Sequence, residues 1–195
     1  MRDILFPIAG FLAGSVPFSY LAGRFVGGHD VRREGSGNVG ATNVFRVAGR
    51  VAGIAAVIGD VLKSLLPIAA ARLAGLTPGW QAATAAAVVL GHCYSPFLRF
   101  AGGKGVISTV TVSLVLCWPS ALAFGAVWVA VFAARGYVSL ASILGAAALA
   151  PAMAVAGAPT EFVAFGGAVF AFVTWKHRAN IRRLLAGTES RMRGR

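Results

Sequence analysis

Long apolar stretches alternate with short polar ones along the chain, and the stretches have the length of helices that cross a bilayer. A hydrocarbon core about 30 Å thick takes roughly 20 residues of α-helix. Clear runs of that kind lie near 4–25, 51–72, 80–98 and 138–156, with a shorter one at 161–175. Residues 106–134 are long for one crossing and short for two, and Pro119 falls in their middle. A fold-back at Pro119, as two short crossings or a re-entrant hairpin, gives seven segments. No strand-length alternation is present, and a backbone in lipid must satisfy its own hydrogen bonds. The pattern therefore predicts an all-α polytopic membrane protein, a seven-helix transmembrane bundle with two short segments. No internal repeat or soluble insert divides it, so residues 1–195 read as a single integral-membrane domain.

Composition points the same way. The chain is 57% hydrophobic and only 12% charged, whereas soluble domains are nearer a quarter charged. That excludes an ordinary soluble globule, a disordered chain and a fibrous repeat. The apolar stretch that opens the chain runs too far for a signal peptide and leads to no small-residue cleavage site, so it reads as the first span.

Charge then sets the orientation. The formal net charge is +12, from 18 Lys and Arg against 6 Asp and Glu. In a soluble domain this would suggest nucleic acid, but here the cations flank apolar runs, where anionic headgroups and the positive-inside rule account for them. With seven segments, one side gathers Arg24, Arg32, Arg33, Arg46, Arg50, Arg99, Lys104, Arg135, Lys176, Arg178, Arg182, Arg183, Arg191, Arg193 and Arg195, which is 15 of the 18 cations. The other side keeps Arg2 and Arg72, and Lys63 lies within a span. A single crossing of 106–134 would put the basic tail opposite the first loops. The N-terminus is thus expected outside and the C-terminus in the cytoplasm, with nucleic-acid binding disfavoured.

Candidate chemistry concentrates in three polar stretches. The first reads Gly35-Ser36-Gly37-Asn38-Val39-Gly40-Ala41-Thr42-Asn43, followed by Arg46. Its glycines allow backbone N–H groups to converge, and a cation stands close by, which suits a phosphate. It fits neither a P-loop nor a dinucleotide fingerprint, so no nucleotide is implied. The second, residues 91–105, ends in Gly102-Gly103-Lys104-Gly105, where the flanking glycines would let the Lys104 ammonium approach an anion. The third is Trp175-Lys176-His177-Arg178-Ala179-Asn180; His177 and Asn180 are three apart and share a helix face. Asp60 and Lys63, also three apart inside a span, read as an ion pair or as the wall of a polar cavity. Ser139 and Ser142 could pack helices or reach a polar site. Cys93 and Cys117 have no metal-ligand spacing and read as reduced, packed thiols. Six scattered carboxylates give no metal constellation and no placed general base.

Taken together, these stretches resemble the bacterial acyl-phosphate-dependent glycerol-3-phosphate acyltransferases. The resemblance rests on Gly14-Ser15-Val16-Pro17-Phe18, the Gly35–Asn43 loop with Arg46, Phe100-Ala101-Gly102-Gly103-Lys104-Gly105-Val106, and Trp175–Ile181 running to Gly187-Thr188-Glu189. Two details depart from the family pattern: Pro96 follows His92 by four residues instead of three, and Ile107-Ser108 replaces Ala-Thr. The resemblance implies transfer of a fatty acyl group from acyl phosphate to the 1-hydroxyl of glycerol 3-phosphate, with no cofactor, no metal and no obligate protein partner. It implies a multi-pass protein of the bacterial cytoplasmic (inner) membrane, among its lipids, with an active site facing the cytoplasm. By the same resemblance, Ser36, Gly37, Asn38, Gly40, Thr42 and Asn43 bind the acyl phosphate. Arg46, Lys104, Ser142, His177 and Asn180 bind glycerol 3-phosphate, and Ser36, His177 and Asn180 serve catalysis, with Ser36 orienting substrate without being acylated. Two rival readings use the same anion sites: a small transporter or flippase gated by Asp60 and Lys63, and a membrane phosphotransferase. Lack of a visible repeat weighs against the first, and lack of acidic metal ligands against the second.

Overall fold

The computed structural model describes residues 2–192; Arg193 and Arg195 of the expected basic tail lie outside them. All regular structure among the described residues is helical. The chain forms two compact units, Met1–Val112 and Ser113–Arg195.

In the first unit, α1 (Leu5–Ser15) stops where Pro17 cannot continue the hydrogen-bond ladder, and α2 (Phe18–Leu21) and a π-helical turn (Ala22–Val26) follow. The break releases two carbonyls, and both are recaptured. Ser95 Oγ donates to the Ser15 carbonyl at 2.5 Å, and Lys63 Nζ donates to that of Val16 at 2.8 Å. α1 packs on α4 (Pro78–Cys93) almost backbone to backbone. A methyl group at Gly14 would lie 2.3 Å from the Val88 carbonyl oxygen, and one at Gly91 would lie 2.2 Å from that of Phe11. Small residues permit this approach, and packing replaces a hydrophobic drive that lipid cannot supply.

α3 spans Ala41–Leu73 but is bent at Gly49, whose φ of 83° and ψ of −177° are not helical. Only glycine adopts that conformation readily. The eight residues before it form a short helix of their own, and the apolar run read from the sequence as 51–72 begins just after it. Val31, Val39 and Leu98, contributed by the two polar loops, share one buried cluster with Ala41, Val44, Ala52 and Ala56 of α3. The unit's last helix, α5 (Val106–Leu116), continues into the second.

In the second unit the helical run breaks after α5. Cys117 is extended, with φ −156°, and α6 (Trp118–Arg135) starts directly after it with Pro119 in its first turn, where the missing N–H is harmless. Gly136, left-handed at φ 75°, ends α6. α7 (Val138–Ala147), α8 (Leu149–Val155), α9 (Thr160–Lys176) and α10 (Arg178–Leu185) complete it. Every apolar run seen in the sequence is thus mostly helical, although 4–25 breaks at Pro17, 138–156 at Ala148, and the run read as 80–98 leaves α4 after Cys93. Among the described residues, four stretches are long and apolar enough to cross a bilayer: Arg2–Val26, Ala41–Leu73, Trp118–Arg135 and Val138–Val155. α4, α5 and α9, with 16, 11 and 17 residues, are shorter.

Candidate active site

The first polar loop is organised by one buried side chain. Asn43 is 1% exposed, and its carboxamide donates to the carbonyls of Val31 at 2.9 Å and Glu34 at 3.0 Å while its oxygen accepts the Ser36 N–H at 2.9 Å. Gly35 and Gly37 take left-handed φ values of 61° and 69°, and a methyl group on Gly35 would strike Asn43 Oδ1. The loop's outer edge is held by a two-pronged pair in which Arg32 donates to Asp30 at 2.9 and 2.7 Å. These hydrogen bonds hold the Asp30 carboxyl down at about 2. Arg32 also stacks over Tyr20 at 4.5 Å.

This changes which amides of the loop its own hydrogen bonds use. The N–H groups of Gly37 and Asn43 are used inside it, donating to Glu34 and Gly40, as is that of Ser36. By contrast, among the described hydrogen bonds none uses the N–H of Gly40, Ala41 or Thr42, at the start of α3. Such amides carry the positive end of the helix dipole and suit an anion. Ser36, Gly37 and the exposed Arg46 stand in the same loop and first helical turns, with Arg46 Nη1 3.4 Å from Asn43 Oδ1. Asn38, Gly40 and Thr42 are half-buried. Sequence reasoning gave Asn43 to the substrate and left out Ala41. The structure turns the Asn43 side chain into the loop's internal brace and leaves the Ala41 amide unengaged.

The second loop closes tightly over the end of α4. Gly102 and Gly103 donate backbone hydrogen bonds to the carbonyls of Cys93 and His92, both at 3.2 Å. A methyl group at Gly102 would lie 2.1 Å from the His92 carbonyl, and one at Gly103 would lie 2.2 Å from His92 Nε2. Close packing on α4 thus accounts for these glycines, which the sequence alone suggested were there to free Lys104. Lys104 itself is half-buried. Arg99 and Phe100 both take positive φ, 51° and 62°, while Leu98 between the exposed Phe97 and Arg99 is buried.

In the second unit, His177 falls at the break between α9 and α10 and is 3% exposed. Its Nδ1 lies 2.8 Å from the Val173 carbonyl, which can only accept, so Nδ1 carries the proton and Nε2 is the acceptor of the neutral ring. Asn180, 7% exposed, donates to Glu189 Oε1 at 2.6 Å. Ser139 of α7 donates to the same oxygen at 2.7 Å, and Arg183 Nε to Oε2 at 2.7 Å. Burial opposes ionisation of Glu189, but these three donors outweigh it and hold the carboxyl below the ordinary glutamate value. Glu189 therefore joins the tail to α7 and α10. Sequence reasoning noted it within a motif without assigning it a role; the signal was a lone carboxylate after a helix rich in arginine. Ser142 is 1% exposed, donates to the Val138 carbonyl at 2.7 Å, and accepts from Trp128 Nε1 at 3.3 Å. No three His, Cys, Asp or Glu side chains among the described residues gather in a way that could hold a metal ion.

Comparison with known proteins adds the identity of this arrangement. The family model for glycerol-3-phosphate acyltransferase matches residues 4–187. The glycerol-3-phosphate acyltransferase of Desulforudis audaxviator is 47% identical over 182 residues, covering 93% of this chain and 91% of the relative. That of Rubrobacter xylanophilus is 42% identical over 195 residues, covering 100% and 98%. Among solved structures, the crystal structure of PlsY (YgiH), an integral membrane glycerol 3-phosphate acyltransferase, matches in its glycerol 3-phosphate form with a TM-score of 0.92 at 36% identity, over 98% of this chain and 96% of that one. Its lysophosphatidic acid form matches with a TM-score of 0.90 at 35% identity, over 98% and 95%. Fold and site thus define a membrane-integral acyltransferase. The chain belongs to the glycerol-3-phosphate acyltransferase family.

Proposed function

We propose that this enzyme transfers a fatty acyl group from acyl phosphate to the 1-hydroxyl of sn-glycerol 3-phosphate. The products are 1-acyl-sn-glycerol 3-phosphate (lysophosphatidic acid) and inorganic phosphate, in a step of phospholipid biosynthesis. The observation that carries the donor assignment is the start of α3, where no described hydrogen bond uses the Gly40, Ala41 and Thr42 amides, one turn before Arg46 and without a nucleotide motif. Acyl phosphate is a mixed anhydride, already activated, and its leaving group is the anion such a site favours. Stabilising the charge that grows on that phosphate as the acyl–oxygen bond breaks lowers the barrier. Holding the acceptor hydroxyl against the carbonyl supplies most of the rest.

Ser36, Gly37, Asn38, Gly40 and Thr42 serve the acyl phosphate, with Asn43 acting through the loop it braces. Arg46, Lys104, His177 and Asn180 serve glycerol 3-phosphate, and a substrate phosphate oxygen accepts the hydroxyl proton. Ser142 donates its hydroxyl hydrogen bond to the Val138 carbonyl, so toward glycerol 3-phosphate it can only accept. Ser36 orients and is not acylated: intact-protein mass spectra taken during turnover should show no acyl adduct, and a trapped acyl-Ser36 would refute this.

We read the chain as one functional domain of seven membrane segments in the bacterial cytoplasmic membrane, site inward, because that arrangement places 15 of 18 cations on one side. Purified protein given radiolabelled glycerol 3-phosphate and palmitoyl phosphate, without nucleotide, should yield a labelled monoacyl product. Product formed only from an acyl thioester would defeat the donor assignment.

A further inference from the structure

Inside the first unit lies a group of buried ionisable side chains for which the reaction above has no use. Asp60 and Lys63 of α3 have side chains 0% and 3% exposed and form an ion pair at 2.8 Å. Asp60 Oδ2 accepts the Ser19 hydroxyl at 2.6 Å. His92 Nδ1, at the end of α4, lies 3.8 Å from Asp60 Oδ1. Desolvating two charges cancels much or all of their attraction, so stability alone is a weak reason for such a pair inside a membrane helix.

What the pair touches offers a better reason. The loop that ends in Lys104 leaves α4 after Cys93 and re-enters a helix at Val106. Its entry is His92, whose ring faces Asp60 on one side and the backbone of Gly103 on the other. Its first turn is tied down by Ser95, bound to the Ser15 carbonyl next to the carbonyl that Lys63 holds. Its exit is held through Ser108 of α5, whose hydroxyl lies 3.0 Å from that of Ser64; Ser64 donates to the Asp60 carbonyl. A small cavity with space for about one water, lined by Ser19, Asp60, Lys63, His92, Ser95 and Gly103, lies among these anchors. These polar contacts add to the close packing of Gly102 and Gly103 on α4 in holding the loop.

We infer that Asp60 and Lys63, acting through His92, are positioning residues that set the 94–105 loop and with it the Lys104 ammonium. The inference rests on the acyltransferase reading for its kinetic consequence alone. Its test replaces the pair with a neutral one of similar volume, Asp60→Asn with Lys63→Met, a change that buried ion pairs often tolerate without loss of stability. The folded double variant should show a KM for glycerol 3-phosphate raised about tenfold or more, with kcat and the KM for palmitoyl phosphate much less affected. His92→Asn, which leaves the pair whole, should act in the same direction and decides the matter if the neutral pair does not fold. Combined with the double variant, it should add less than its separate effect. The rate at which Lys104 reacts with an amine-directed label, read by mass spectrometry without substrate, should also change in both variants. Folded variants with an unaltered KM and unaltered Lys104 labelling would overturn the inference. Wild-type protein inactive with both substrates would instead defeat the acyltransferase reading, and the labelling would still decide this one.

Discussion

At the scale of single residues, the candidate site divides into side chains that hold the protein and side chains proposed to meet a ligand. Asn43 and Ser142 belong to the first group, because their hydrogens are spent on backbone carbonyls. Lys104 belongs to the second. Losing its ammonium removes a charged hydrogen-bond donor, worth about 1.5–3 kcal/mol. Lys104→Ala should therefore raise the KM for glycerol 3-phosphate by about 10- to 100-fold, and an unchanged KM would remove Lys104 from that site. Glu189 is a holding residue with a pH signature. Its carboxyl titrates below the ordinary glutamate value when folded, so its stabilisation is complete above the unfolded pKa and is lost as pH falls through the folded one. Thermal melts should thus show wild type losing stability on acidification below about pH 4.5, the unfolded value. Glu189→Gln, less stable by about 1–3 kcal/mol at neutral pH, should show a smaller change over that range. Equal acid sensitivity in both proteins would contradict the assignment.

Among elements, the bend in α3 matters most. Gly49 separates the short helix bearing Thr42 and Arg46 from the long apolar helix that follows, and nothing lies within 4 Å of where a side chain would go. Gly49→Ala therefore meets no clash, only the φ of 83°, at a cost of about 1–3 kcal/mol. Straightening α3 would swing away the Gly40, Ala41 and Thr42 amides proposed to bind phosphate, so activity should fall further than stability does. A fully active Gly49→Ala enzyme would show that the bend is dispensable. No sequence pattern announces this glycine, since glycine is common throughout the apolar runs. Hydropathy did announce the helices, and Pro119 marked the break between α5 and α6, because apolar length and the missing N–H act locally. The packing of Gly102 and Gly103 was not legible, for the converse reason. What they make room for is His92, ten residues earlier, and tertiary contact of that kind leaves no local trace.

For the molecule as a whole, apolar run lengths and the placement of arginines and lysines carried the class of protein, and the family comparison agrees with it. The number of full crossings was less legible, because α4, α5 and α9 are too short to be judged by length. Orientation can be tested directly. Reporter fusions at the C-terminus should be active only as cytoplasmic reporters, whereas a periplasm-active fusion there would reverse the proposed topology.

Where α1 meets α4, main chain lies against main chain at Gly14 and Gly91, and Gly10 lies tight against Thr84 and Val88. The opposite side of α1, with Leu5, Ile8 and Leu12 turned outward, is asked only to be greasy. A saturation-mutagenesis map of this helix should accordingly be two-toned. One stripe, recurring every three to four residues, would accept almost any aliphatic or aromatic replacement, while the other would reject even a single added carbon.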